Sequence, residues 1–257
     1  MKISVITVSF NAHDEIERTI LSVIGQDYDD YEYVIVDGGS TDGTVDLIKK
    51  HSSKISKWIS EPDSGIYCAM NKAVSIASGD YCIFMNAGDC FVSPNVLKKV
   101  SRYLDGTVGY VLGNQIHVAT DGRICAYTIS RQKISRNNLL ISSIAHQASF
   151  ILRSLLVSDP YDETLKLVSD WKFALEKLVF EGVSYRCIDV DVCFFFRGGA
   201  TDSMRRLGQL ERRTVLSGHF SQDEIADMEN MAVHGCLLLA LLEKIRMIIW
   251  KFSCRRY

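Results

Sequence analysis

Proline is scarce in this chain, three in 257 residues, which leaves no Pro-rich linker. None of the eight cysteines (68, 82, 90, 125, 187, 193, 236 and 254) stands in CxxC spacing, so neither a zinc finger nor a redox pair is indicated. Scattered unpaired thiols suit a reducing compartment, and a cytoplasmic location is expected. Long apolar runs are missing too. The stretch 235–242 is cut by Glu243 and Lys244, well short of the roughly 18 residues of a membrane span. The N-terminal apolar run gives way to polar residues from Ser9 and is too short for a secretory signal. Net charge is -2, without the basic footprint of a nucleic-acid binder, so no nucleic-acid partner is expected. Phosphate-binding loops are absent: Ser9-Phe10-Asn11-Ala12-His13-Asp14 carries no glycine, and no GxxxxGK[ST] occurs. Residues 37–48 fail as a calcium loop, because Asp42 and Ile48 stand where glycine and glutamate are needed. What is present, 47% hydrophobic and 23% charged residues, describes a globular chain long enough to bury a core.

The first hundred residues alternate two periodicities. Strand patterns at 3–8, 33–36, 58–60 and 81–85 alternate with helical spacings at 14–26, 44–50, 66–77 and 94–104. Such βαβ units imply an α/β fold with a mainly parallel central sheet flanked by helices. Ligands then bind beyond the carboxyl ends of the strands, where Asp37 and Asp89 fall. The second half reads as strands at 108–112, 115–118 and 124–129, a helix at 169–180, and strands at 185–190 and 193–196. From Ser203 onward only helical patterns remain, which suggests a main domain over 1–202 and a helical extension over 203–257.

Several residues stand out by placement. Asp37 ends a strand beside Gly38 and Gly39, where a carboxylate can accept hydrogen bonds from a base or ribose. Asp42 reads as a helix cap. In Asn86-Ala87-Gly88-Asp89 a buried strand delivers one carboxylate past its end, a hard oxygen ligand suited to Mg²⁺ or Mn²⁺ on a diphosphate.

Four segments in order carry a resemblance: Ser4 to Asn11, Val34 to Thr44, Ser60 to Asp63 with Gly65-Ile66-Tyr67, and Asn86 to Asp89. Together they resemble the nucleotide-sugar-binding half of family 2 glycosyltransferases, which have the GT-A fold; the nearest subgroup makes bacterial extracellular polysaccharide, in the manner of colanic-acid transferases. The resemblance implies an inverting, metal-dependent hexosyltransferase. Its expected donor is a nucleotide-diphosphate sugar, UDP-linked by preference, and its acceptor a saccharide or polyprenyl-linked saccharide. Carried across residue by residue, it implies that Asp37 contacts the donor's base, that Thr7, Ser9 and Asn11 line the nucleotide pocket, and that Asp63 forms its rim. It makes Asp89 the metal ligand. The chain departs from the pattern at Gly88 and Cys68, where relatives often place aspartates. Metal retention would then rest on Asp89 and the diphosphate.

Further along, His146-Gln147-Ala148 resembles the HQ segment of this subgroup, with His146 as a substrate contact. Asp170, opening a helix after Ser169, matches the family's catalytic base, although a first-turn aspartate is also favoured by the helix dipole. Arg197 with Gly198 and Gly199 is placed to approach the diphosphate. Residues 231–252 combine an apolar face with a basic end, which suits either a peripheral contact with the inner face of the plasma membrane or a subunit contact. Two alternatives stay open from the residues: a nucleotidyltransferase of related architecture, or a non-catalytic scaffold in a polysaccharide assembly complex.

Overall fold

The computed structural model describes residues 1–128, 130, 134, 139, 143–198, 204–228 and 230. Strand β1 (Ile3–Ser9) leads to α1 (His13–Ile24), β2 (Tyr31–Asp37) to α2 (Thr44–Lys50), and β3 (Lys57–Ser60) to α3 (Ile66–Ile76). Strand β4 (Tyr81–Phe84) is followed by a two-residue strand β5 (Cys90–Phe91) and α4 (Val96–Val100). Then come β6 (Tyr110–Val118), β7 (Ile124–Thr128), β8 (Ser149–Leu152), α5 (Arg153–Ser158) and α6 (Ser169–Leu175). A π-helical turn (Glu176–Phe180) prolongs α6, and β9 (Tyr185–Phe196) and α7 (Arg205–Ser217) complete the described elements. They form one nine-stranded sheet in the order β3-β2-β1-β4-β8-β6-β9-β5, with β7 on β6.

The expected α/β sheet is present, and its parallel half is β3-β2-β1-β4. Beyond β4 the sheet becomes mixed: β8 runs antiparallel to both β4 and β6, while β6 and β9 are parallel. Both faces are covered, which explains the near-continuous apolar runs. Tyr33 and Ile35 join Ile16, Ile20 and Val23 of α1 on one side, while Val34 and Val36 join Met70 and Ala73 of α3 on the other. Each such fully buried aliphatic side chain contributes roughly 1.5–3 kcal/mol.

Two pairs of expected short strands are single long ones. Residues 108–112 and 115–118 merge into β6 because Gly113 sits against β9, where a Cβ would lie 2.3 Å from Val192 Cγ2. Glycine therefore permits close packing of the strand rather than breaking it. Likewise 185–190 and 193–196 form one strand, with irregular register opposite Asn114. Helix α7 begins beyond the expected boundary at 202/203, which lies outside the described residues. It packs on the sheet domain through buried Glu211 and Leu216. The expected helix over 231–252 also lies outside the described residues. Among the described residues no helix is long and apolar enough to cross a membrane.

A buried ionic knot locks the starts of β1, β2 and β4. The Glu32 carboxylate accepts from Ser4 Oγ (2.6 Å), Ser78 Oγ (2.9 Å), the Gly79 amide (3.0 Å) and the Ser78 amide, with Lys2 Nζ at 3.4 Å. Burial alone would push this carboxyl up, but the hydroxyl and amide donors together with Lys2 outweigh it and hold its pKa at about 2. The folded value lies below the ordinary one, so this stabilisation is present above about pH 4.3 and fades as pH falls towards 2. Glu32→Ala strands several buried donors and is expected to cost about 3–5 kcal/mol in urea unfolding at pH 7. The gap between variant and wild type should narrow below pH 4.

Candidate functional site

Three loop clusters meet at one rim of the sheet, and parallel register accounts for the first. It sets Ser9, Asp37 and Ser60 abreast on adjacent strands. Asp37 is consequently fully buried and saturated. Its Oδ1 accepts from Ser9 Oγ (3.0 Å) and Ser40 Oγ (2.5 Å), and its Oδ2 from the Gly39 amide (3.1 Å), the Ser40 amide (2.9 Å) and Ser60 Oγ (2.8 Å). Burial raises the Asp37 carboxyl, yet these donors, Ser40 first, bring it below its ordinary value. Five donors exhaust the roughly four lone-pair sites of a carboxylate. Asp37 therefore builds the loop, and its expected contact with the donor's base belongs to the proposed function. Thr7 is fully buried, and its hydroxyl is engaged by Tyr33 Oη (3.0 Å) and the Met85 carbonyl (2.7 Å).

Around Asp37, Asn11 is exposed, while Ser40 and Asp63 are half-buried. Asn11 adopts φ +46 and ties the two loops, its amide donating to Ser40 Oγ (2.8 Å) and its side-chain oxygen accepting from the Thr41 amide (3.0 Å). Asp63 accepts from the Gly65 amide (2.9 Å). A Cβ on Gly38 would lie 2.8 Å from the other Asp63 oxygen, so glycine is what lets the two loops close on each other. The N-cap of α2 is Gly43, one residue past the expected Asp42, whose carboxylate accepts from the Thr44 amide in α2 and the His13 amide in α1.

The second cluster is the turn Asn86–Asp89, closed by the Asp89 amide on the Asn86 carbonyl (3.0 Å), with Gly88 at φ +104. A positive φ at the third turn position favours glycine. Helix α1 holds the turn: Thr19 Oγ1 donates to the Asp89 carbonyl (2.7 Å), and Arg18 grips the Gly88 carbonyl with Nε (3.0 Å) and Nη2 (2.6 Å). Arg18 in turn lies over the Phe196 ring at 3.8 Å. The Asp89 carboxylate is nearly buried and accepts from the Phe196 amide (3.1 Å), which brings Arg197 beside this turn. Burial pushes the Asp89 carboxyl up to about 7, against the Phe196 and Gln147 hydrogen bonds and the Arg18 charge. The Arg197 side chain is exposed.

Metal fit can be judged on this turn. Asn86 Oδ1 is buried with no hydrogen-bond partner among the described residues, one turn from the Asp89 carboxylate. Two hard oxygens suit Mg²⁺ or Mn²⁺ when phosphate oxygens and water complete the shell. Among the described residues no cluster of three His, Cys, Asp or Glu side chains gathers.

The third cluster surrounds Asp170 in the first turn of α6. Its Oδ1 accepts from Tyr67 Oη (2.7 Å), and its Oδ2 lies 3.8 Å from His146 Nδ1. The Asp170 side chain is 24% exposed and that of His146 10%. Burial lowers the His146 pKa, so the ring is neutral, and it stacks on Phe84 at 4.9 Å. Tyr110 Oη, Tyr161 Oη, Ser169 Oγ and His146 Nε2 are buried without hydrogen-bond partners among the described residues. Tyr110, His146 and Asp170 line one small cavity. His146 thus lines the same cavity as Asp170, and its expected substrate contact belongs to the proposed function. Asp162 and Glu163, the neighbouring acids, are engaged by Lys172 (2.8 Å) and Asn71 (2.9 Å).

Tyr67 was not legible as a site residue, although it stands in the Gly65-Ile66-Tyr67 segment. Its partner lies 103 residues away. The clusters are joined as well: Gln147 accepts from Gln115 Nε2 (2.9 Å) and bonds Asp89, while adjacent His146 faces Asp170.

Known proteins resemble the chain in sequence and in fold. The model of the family "Glycosyl transferase family 2" matches residues 4–160. The uncharacterized glycosyltransferase Rv1514c of Mycobacterium tuberculosis is 32% identical over 232 residues, 84% of this chain and 86% of that protein. The putative teichuronic acid biosynthesis glycosyltransferase TuaG of Bacillus subtilis is 35% identical over 124 residues, 47% and 49% of the two chains. Among solved structures, the mannosyltransferase PcManGT of Pyrobaculum calidifontis, in complex with GDP-Man and Mn²⁺, superposes with TM-score 0.66 at 19% identity over 90% of this chain and 69% of that one. S. aureus TarS gives TM-score 0.64 at 19% identity over 91% of this chain. This chain spans 43% of TarS, whose 1–349 segment has been solved with UDP-GlcNAc. At these identities the structural likeness establishes the fold.

Proposed function

The chain belongs to glycosyl transferase family 2, and on that premise we propose that it moves a sugar from a nucleotide-diphosphate donor to a saccharide or polyprenyl-linked saccharide, with inversion, in cell-surface polysaccharide synthesis. The observation that carries this reading is Asp170, half-open beside the cleft, with one oxygen fixed by Tyr67 and the other directed towards neutral His146. TuaG and the donor complexes of TarS and PcManGT support the pathway and donor class.

The loop built on Asp37, with Ser9 beneath and Asn11 and Asp63 at its rim, receives the nucleoside. The turn carrying Asp89, with Arg197 beside it, receives the diphosphate. Asp89 and Asn86 would hold a divalent cation, which when bound supplies Lewis-acid stabilisation of the leaving diphosphate. Asp170 Oδ2 takes the proton from the acceptor hydroxyl as that oxygen attacks the anomeric carbon. Tyr67 keeps the carboxylate oriented by donating to Oδ1 throughout. Neutral His146 leaves Oδ2 free, because an imidazolium at this distance would compete for it as an ion pair. Tyr67→Phe is expected to lower kcat about tenfold with donor affinity unchanged, a loss sized to one hydrogen bond to a charged group. Isothermal calorimetry beside steady-state rates checks this.

A panel of UDP- and GDP-sugars tests the proposal, read as nucleoside diphosphate release and as the product's anomeric configuration by NMR. Release from at least one donor and an inverted product are expected. Failure of every donor to bind or react would overturn the enzyme reading, and a retained configuration would overturn the role of Asp170.

A further inference from the structure

Helix α6 is only seven residues long and receives no side-chain cap, yet Asp170 sits in its first turn and must be held in place. The restraint comes from α7. Glu211, 9% exposed, accepts the Lys166 amide on Oε1 (2.7 Å) and the Leu167 amide on Oε2 (2.9 Å), closing the loop that enters α6. The next residue, Arg212, lies over the Trp171 ring at 4.7 Å and donates to Ser143 Oγ, three residues before His146. Trp171 adjoins Asp170 and is fixed from its other side by Nε1 donating to the Leu139 carbonyl (2.8 Å). Burial lowers the Arg212 pKa, while the negative charge of Asp170 opposes that fall, so its guanidinium shares the surroundings of Asp170.

We propose that Glu211 and Arg212 are positioning residues for Asp170: one α7 turn grips the chain before the base and the residue after it. This makes α7 part of the catalytic unit rather than an appendage. The inference rests on Asp170 being the base. Bidentate acceptance by Glu211 needs both carboxylate oxygens, and stacking on Trp171 needs the planar guanidinium. Lysine can replace the charge of Arg212 but not its fit.

The full chain is assayed as wild type, Glu211→Gln, Arg212→Gln and Arg212→Lys, each alone and combined with Asp170→Asn, using the most active donor of the nucleotide-sugar panel. Glutamine at 211 keeps the shape but turns an NH₂ towards one of the two amides. Circular dichroism melts verify that each variant is folded, and Arg212→Lys serves where Arg212→Gln is not. Expected are a fall in kcat of about tenfold or more for Glu211→Gln and Arg212→Gln, donor KM within twofold, and partial recovery in Arg212→Lys. In the Asp170→Asn background neither change should lower kcat further, since the group being positioned is gone. Unchanged kcat, a rise in KM alone, or losses that multiply in that background would overturn the proposal. If Asp170→Asn itself leaves kcat unchanged, the base assignment fails, and any kcat loss in Glu211→Gln then belongs to another group.

Discussion

Asp170→Asn is expected to bind donor as the wild type does and to lose roughly 10²–10⁴-fold in transfer rate, the usual share of a general base. The carboxamide keeps the shape and an oxygen able to accept from Tyr67 Oη, so the fold and the rim of the cleft should persist. What disappears is the proton acceptor at Oδ2. The loss should therefore fall on kcat with little change in donor KM, the mark of an interaction made in the transition state. Pre-steady-state rates with a saccharide acceptor separate this from slower product release. Equal losses in donor affinity and rate would instead assign Asp170 to donor binding.

Asp89→Asn is expected to have the second-largest effect, and in two directions. Donor affinity in the presence of Mn²⁺ should fall at least tenfold, to the value measured with a chelator, because the charge that holds the cation is gone. Stability should rise in the same variant. Burial holds the Asp89 carboxyl at about 7, above its ordinary value. A folded pKa above the unfolded one means the folded state keeps a proton that the unfolded chain has lost, so wild-type stability drops between about pH 4 and 7, by roughly 1.4 kcal/mol per pH unit at most. Asparagine does not ionise and escapes that drop. Metal-free melts should show Asp89→Asn more stable than wild type at pH 8, with the difference shrinking towards pH 4. A destabilised variant at pH 8 would mean that the carboxylate's bond to Phe196 outweighs its desolvation.

Much of the first half was legible because its residues act where the chain leaves a strand. Apolar runs ending in Asp37 and Asp89 give both the parallel sheet and the positions of its functional loops. Legibility failed where long-range pairing decides a side chain's role. The hydroxyls that anchor Asp37 come from neighbouring strands, set beside it by parallel register. The bond between Thr7 and Tyr33 likewise joins two strands and cannot be read along the chain. Tyr67 and Asp170 meet only through the tertiary fold, 103 residues apart in the chain. Glu211-Arg212-Arg213 looks like a solvated helix face, and its tie to residues 166 and 167 is invisible without the fold. Gly113 stands between the strand patterns 108–112 and 115–118, yet in the fold it admits Val192 and the strand runs through.

A crystal structure of the full chain with an unreacted nucleotide-sugar and Mn²⁺ tests the central claim most directly. The account predicts the nucleoside against the Asn11–Asp63 rim, the diphosphate at the Asp89 turn, and the sugar's anomeric carbon facing Asp170 Oδ2 with room for one hydroxyl between them. A donor seated elsewhere, or an anomeric carbon on the far side of the sugar from Asp170, would contradict it.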